Sequence, residues 1–262
     1  MPAGRIALWV ASLGGLALCA RSLLIGPVPL EVAYVAFGIY FALVIAGVLV
    51  PQLEMFGDVL YRGDSTRPEI ALTFDDGPHP VTTRKVLEHL ARAGVKATFF
   101  VIGEKVERHP DVVRDIVRAG HAIGAHGYRH DRLYALKPPA VVADDIRKTC
   151  DVIERATGVR PHWFRPPVGQ VSPRTAAGVK RAGLETVAWS VRGLDGLASA
   201  VPERVAERIE RGLTPGAVVL LHDAAEHDDR FPASIDALPR ILESIEKRGL
   251  RVTPLDDLFA DE

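Results

Sequence analysis

From residue 70 to the C-terminus, short apolar runs alternate with amphipathic stretches, and that alternation limits the folds open to the chain more than any other feature. Runs of strand length cover 70–74, 97–103, 121–125, 163–165, 184–190, 217–222 and 251–254. Helical periodicity fills the intervals at 82–93, 110–119, 139–157, 173–182, 202–213 and 234–248. Gly94, Gly120, Gly158, Gly183 and Gly249 fall just past five of these helices, where a left-handed cap suits glycine. Strands that alternate with helices imply a parallel sheet covered on both faces. Seven strands in this space suit a closed or nearly closed barrel, so the expected fold is α/β, a distorted seven-stranded (β/α) barrel.

The N-terminal part is of another kind. Residues 6–50 carry only two charges, Arg21 and Glu31, among long runs of Leu, Val, Ile and Ala. Apolar stretches at about 6–25 and 32–50 are separated by Gly26-Pro27-Val28-Pro29, a turn signal. A bilayer core takes about 20 apolar residues per helix, so residues 1–52 read as a membrane segment with a transmembrane helical hairpin. A cleaved signal peptide is the rival for the first stretch, and the long apolar run after it counts against that. Arg5 precedes the hairpin and Arg62, Arg67, Arg84 and Lys85 follow it, so the positive-inside bias favours both ends in the cytoplasm of a bacterial-type cell with the hairpin in its inner membrane. Residues 53–68 are expected to link it to a catalytic domain at 69–258.

Charge is balanced, with 32 Lys+Arg against 33 Asp+Glu, and the basic residues are scattered along helices rather than massed. That excludes the electrostatic footprint of a nucleic-acid partner. Two cysteines, Cys19 and Cys150, make no disulfide framework.

Ionisable residues gather at the C-terminal ends of the expected strands: Asp75 and Asp76, His126 and His130, Arg165, Asp195 and His222. In β/α barrels that rim carries the chemistry. Adjacent acids at the tip of a buried strand cannot serve the core, because an unpartnered buried carboxylate costs several kcal/mol. Two imidazoles four residues apart and one carboxylate, Asp76 with His126 and His130, make a three-ligand set that leaves room for water or substrate. Such a set suits a divalent metal ion, zinc first among other first-row ions. Asp75 is then free to act as general base and His222 as general acid. Capping of the helix at 82 is expected from Thr82. Arg165 sits in the stiff segment Phe164-Arg165-Pro166-Pro167-Val168-Gly169, where Asp195 is expected to pair with it bidentately. The Val168 amide, after two prolines, is a candidate oxyanion donor.

With these residues in view, the chain resembles the polysaccharide deacetylase (NodB-homology, carbohydrate esterase family 4) family over about 69–258. Thr73-Phe74-Asp75-Asp76-Gly77-Pro78 matches that family's first motif in full. The resemblance implies Asp75 as catalytic base and Asp76 as metal ligand, with His126 and His130 of the second motif completing the site. The segment from Arg165 to Gly169 resembles the third motif, Trp189 to Asp195 the fourth, and Leu220 to His222 the fifth, with His222 as acid. Pro167, Val168 and Leu220 are the substrate-binding positions so implied. Three of the motifs depart: in the second Gly127 replaces a usual Ser or Thr, in the third Val168 a common aromatic, and in the fourth Gly196 a usual Trp while Arg192 stands where an acid is frequent. Lost aromatics remove apolar surface for a sugar or acyl methyl, which points to an altered substrate.

The expected activity is metal-dependent removal of an N-acyl group, N-acetyl first, from an amino sugar. The hairpin suggests a membrane-proximal glycan or a lipid-linked sugar as partner, and a deformylase is a close variant. A membrane-anchored glycan-binding scaffold of the same fold, catalytically impaired, is the alternative. Phosphate-ester hydrolysis fits less well, since few ligands remain for a second metal.

Overall fold

A computed structural model describes residues 1–227 and 230–260. Two apolar helices come first, α1 (Ala3–Leu24) and α2 (Leu30–Leu49). Both are long enough to cross a bilayer, with mean hydropathy of 1.6 and 2.4, and almost none of either is buried within the chain. The remainder alternates as read from the sequence: β1 (Glu69–Asp75), α3 (Thr82–Ala93), β2 (Thr98–Val101), α4 (Gly103–Arg108), α5 (Pro110–Arg118), β3 (Ala122–Ala125), α6 (Pro139–Thr157), β4 (Trp163–Phe164), α7 (Pro173–Ala182), β5 (Glu185–Thr186), β6 (Val191–Arg192), α8 (Pro202–Gly212), β7 (Val218–His222), α9 (Ser234–Lys247), β8 (Arg251–Val252) and α10 (Leu255–Leu258). All five glycines expected as helix caps have positive φ.

The strands pair in parallel in the order β5-β4-β3-β2-β1-β7-β6, and β8 joins the start of β1. This is a curled parallel sheet, a half-barrel with helices outside, consistent with a (β/α) barrel. Its core is built from β1, whose Ile70, Ala71, Leu72 and Phe74 are fully buried, and from the apolar faces of the helices. The Phe74 and Phe99 rings stack with centroids 5.1 Å apart.

The seam of the curl differs from expectation. The single strand expected at 184–190 is two short strands at opposite edges of the sheet. Val187 N–H bonds to the Phe164 carbonyl on β4, whereas Ser190 N–H bonds to the Val218 carbonyl on β7. One stretch of chain therefore leaves one edge and arrives at the other, and cannot stay in a single ladder. Leu60 fills the gap, exchanging hydrogen bonds with Thr186 and Ala188. Residues 60–62, in the segment expected as a link, thus belong to the sheet.

Two local expectations also change. The run at 97–103 ends early because Gly103 opens α4. The first N–H groups of that helix, from Gly103 and Glu104, donate to the Gly127 and Tyr128 carbonyls at 3.0 and 2.9 Å. Helix N-termini have such spare donors, and here they hold the loop after β3. At the start of α3, Thr82 makes no cap. The Nδ1 of His79 accepts from the Val81 and Thr82 amides, while Thr83 Oγ1 accepts from His79 N–H and donates to the buried Asp223 carboxylate.

Candidate active site

Strand register sets the site. Asp75 lies opposite both Phe100 on β2 and His222 on β7, and Ala125 lies opposite Phe164. The residues that follow, Asp76, His126 and Arg165, therefore emerge on one rim. They line a cavity of about 280 Å³ together with His130, Val168, Trp189, Leu194, Asp195, Leu220 and His222, except that Arg165 is buried beneath it. Among the described residues, five non-glycine positions have positive φ. Four of them, Asp76 (72°), His130 (52°), Val168 (52°) and Leu194 (57°), line this cavity. Such backbone costs roughly 1–3 kcal/mol per residue and collects where function requires it.

Asp76 Oδ1 lies 3.4 Å from His126 Nε2 and 3.3 Å from His130 Nε2. The three ligand atoms are all within 4.8 Å of one another, on side chains that are buried. Among the described residues, Asp76 Oδ1 has no hydrogen-bond partner despite its burial. An orphaned carboxylate oxygen facing two imidazole nitrogens is a donor set that fits a divalent cation. The His126 Nδ1 bonds to the Arg165 carbonyl at 2.7 Å, so Nδ1 carries the proton and Nε2 keeps its lone pair for the site. Burial opposes ionisation of Asp76, yet His126, then His222 and His130, hold its carboxyl well below the usual range. Burial lowers the His130 pKa, and the adjacent His126 lowers it further, which favours a neutral ligand.

Glu226 was not anticipated. Its Oε1 lies 3.2 Å from His130 Nδ1, within ion-pair distance though not aligned as a hydrogen bond, and Arg132 grips the same carboxylate through Nε and Nη2. The only signal in sequence is an acid four residues past His222. A carboxylate behind a metal-binding imidazole orients the ring and raises its basicity, and loss of such partners costs about 10–100-fold in metal affinity. Glu226→Gln is expected to weaken zinc binding by about tenfold or more, read by competition with a chromophoric chelator; an unchanged affinity sinks this role.

The expected Arg165–Asp195 pair does not form. Arg165, 1% exposed, donates from Nη1 to Asp75 Oδ1 at 2.7 Å and to Thr73 Oγ1 at 2.8 Å, and from Nη2 to the Ala188 carbonyl at 2.9 Å. Its guanidinium also lies 4.2 Å from the Phe100 ring centroid. Asp195 instead holds His222: Oδ2 accepts from the His222 amide at 2.7 Å, and Oδ1 lies 3.1 Å from Nδ1. Burial alone would lower the His222 pKa, but the Asp195 charge and hydrogen bond, with Asp76 and Asp75 beyond, raise it to about 10. The site thus has a carboxylate fixed by an arginine on one side and an imidazolium fixed by a carboxylate on the other.

Of the expected substrate positions, Val168 (45% exposed) and Leu220 line the cavity. Pro167 does not; it is buried, with its ring beside Gly127. Gly127 has φ +75°, and a Cβ there would lie 3.2 Å from Pro167 Cγ. The loop support a hydroxyl would give comes from Asp145, whose Oδ2 accepts from Tyr128 N–H at 3.0 Å and Tyr134 O–H at 3.1 Å.

The sequence pattern described as polysaccharide deacetylase matches residues 62–187. The chain is 32% identical to a peptidoglycan-N-acetylglucosamine deacetylase of Bacillus cereus over 76% of its own length and 71% of that protein's. The chain belongs to the polysaccharide deacetylase family. A solved member of this family, a peptidoglycan N-acetylglucosamine deacetylase bound to a hydroxamate-type benzamide, superposes with a TM-score of 0.71 at 31% identity, covering 78% of this chain and 94% of that one. Another solved member, from Bacillus anthracis, is described as a pseudoenzyme; it covers 79% of this chain and 70% of its own at 26% identity, with a TM-score of 0.70. Membership in the deacetylase family therefore leaves activity to be argued from the site.

Proposed function

We propose that the chain is a carbohydrate deacetylase that hydrolyses an N-acyl group, N-acetyl first, from an amino sugar at a membrane surface. One observation carries this reading: Asp75 is fixed by Arg165 and His222 by Asp195, both beside the Asp76, His126 and His130 cluster in one cavity. A binding module has no use for a proton acceptor and a proton donor held so carefully apart from each other. Asp76, His126 and His130 would hold a divalent ion, zinc first, which when bound supplies Lewis-acid polarisation of the acyl carbonyl and acidifies water.

The chain's own residues do the rest. Asp75 takes the proton of the attacking water, and Arg165 keeps it aimed. The Val168 N–H is the proposed donor to the oxygen that gains charge. His222, held protonated by Asp195, delivers its proton to the departing nitrogen as the C–N bond breaks. The products are a free amine and a carboxylate.

The two N-terminal helices support a membrane setting, since both are apolar and exposed along their length. A discarded leader fits α2 poorly, because Val171 N–H bonds to the Val48 carbonyl at 3.1 Å and Gln52 Nε2 to the Trp189 carbonyl at 2.7 Å. The pseudoenzyme relative supports a second reading, a scaffold that binds glycans without turnover. Zinc-loaded protein incubated with N-acetylated chito-oligosaccharides, peptidoglycan fragments and lipid-linked amino sugars is expected to release acetate. Binding of these sugars with no acetate or formate released from any of them favours the scaffold.

A further inference from the structure

We infer that the acylated sugar reaches this cavity on a membrane lipid, joined to it through a phosphate or diphosphate. The sugar enters the cavity, the phosphate meets Arg192, and the hydrocarbon lies along the end of α2. For its reaction this inference rests on the proposed deacetylase activity; for its ligand it rests on separate observations.

Leu49, the last residue of α2, is 57% exposed and lines the same cavity as Asp75, Asp76, His126 and His222. The helix end is built into the rim. Val48 accepts a hydrogen bond from Val171, Gln52 bonds to the carbonyl of the cavity residue Trp189, and Arg5 on α1 bonds to the Glu54 carbonyl at 2.9 Å and pairs with Asp58. Gly47 packs so closely on Met55 that a Cβ there would lie 2.4 Å from its sulfur. The cavity therefore opens where an apolar helix of 20 residues ends, about 30 Å of helix at 1.5 Å per residue. A sugar on a lipid would find apolar surface and catalytic groups side by side.

Charge around the cavity identifies the joining group. Of the four acids there, Asp75 is held by Arg165, Asp195 by His222 and Glu226 by Arg132, while Asp76 belongs to the three-ligand cluster with the two histidines. Of the exposed cations, Arg132 is held by Glu226 and Arg230 donates to the Gly196 carbonyl at 2.9 Å. Among the described residues, the Arg192 side chain has neither an ionic nor a hydrogen-bonded partner, and it lines the cavity. A guanidinium presents a planar fork that matches phosphate oxygens. Gly196 leaves open the space beside the acid, since any Cβ there would sit 3.4 Å from the His222 ring.

The test uses the full chain in phosphatidylcholine vesicles and three probes: N-acetylglucosamine on a polyprenyl diphosphate, N-acetylglucosamine 1-phosphate, and the N-acetylglucosamine trisaccharide. Binding is measured on the Asp75→Asn protein, so that turnover does not consume the probe. The lipid probe is expected to bind at least about tenfold more tightly than the trisaccharide, as one charge-assisted hydrogen bond of roughly 1.5 kcal/mol already requires. Arg192→Gln is expected to reduce the preference for both phosphate-bearing probes over the trisaccharide, and Leu49→Gln the preference for the lipid probe over the sugar phosphate. Equal affinity for all three probes overturns the inference, as do substitutions that leave these ratios unmoved. Acetate release is scored separately on the unsubstituted protein. A lipid preference without acetate sinks the deacetylase reading alone, and acetate without any preference sinks the lipid inference alone.

Discussion

Asp75→Asn is expected to slow turnover by about a thousandfold, within the range of loss for a positioned general base, while the protein still binds zinc stoichiometrically. Asparagine is nearly isosteric and can keep the Oδ1 contact with Arg165, 2.7 Å in the unsubstituted chain, so the geometry survives while the proton acceptor disappears. The metal cluster uses Asp76 rather than Asp75, which is why metal content and rate should separate. The substitution has a second consequence. Arg165 is fully buried, and removing its counter-charge leaves an uncompensated cation at a cost of about 3 kcal/mol or more. Rates must therefore be compared well below the midpoint of thermal unfolding, with the lower midpoint recorded as an independent sign that the pair was broken. Undiminished turnover would remove Asp75 from the reaction, whereas an unsubstituted protein that turns over no substrate would favour the scaffold reading raised by the pseudoenzyme relative.

Much of this architecture was legible because each layer of sequence signal agreed with the next. The helix at 82–93, for instance, has an apolar stripe, a glycine at its end and a strand on either side, and the structure places α3 over the same residues. The rim residues were legible because strand ends are marked by the change from apolar to ionisable. What sequence could not show was adjacency around the rim. Arg165 reaches across the inside of the sheet from β4 to Thr73 and Asp75 on β1, with two strands between them in the order of pairing. Asp195 follows β6, which pairs with β7, so its nearest imidazole is His222. Either pairing is equally compatible with the chain order; only the strand order decides. Glu226 escaped notice for a similar reason, because its partner His130 is ninety-six residues earlier in the sequence.

Asp195→Asn is expected to pull the alkaline limb of the activity profile down by at least about one pH unit, since a buried charge-assisted hydrogen bond is worth roughly 1.5–3 kcal/mol and one unit is 1.36 kcal/mol. The sign follows from the role. His222 must be protonated to deliver a proton, so activity is retained below its pKa and lost as pH rises through it. In the intact site that pKa is raised to about 10, because Asp195, with help from Asp76 and Asp75, overcomes the burial that would otherwise depress it. A cation on Asp76 offsets part of the help from that acid, but it does so equally in both proteins, so the difference between them remains a measure of Asp195. With asparagine in its place, burial dominates and the imidazole loses its proton earlier. The readout is kcat/KM between about pH 6 and 11, a range that brackets the reference pKa of histidine and the raised value. His222→Gln should abolish the limb as it lowers the rate, because glutamine does not titrate. If Asp195→Asn lowers kcat/KM at every pH by one factor and leaves the limb in place, Asp195 merely supports the loop, and the proton that reaches the leaving nitrogen comes from another group.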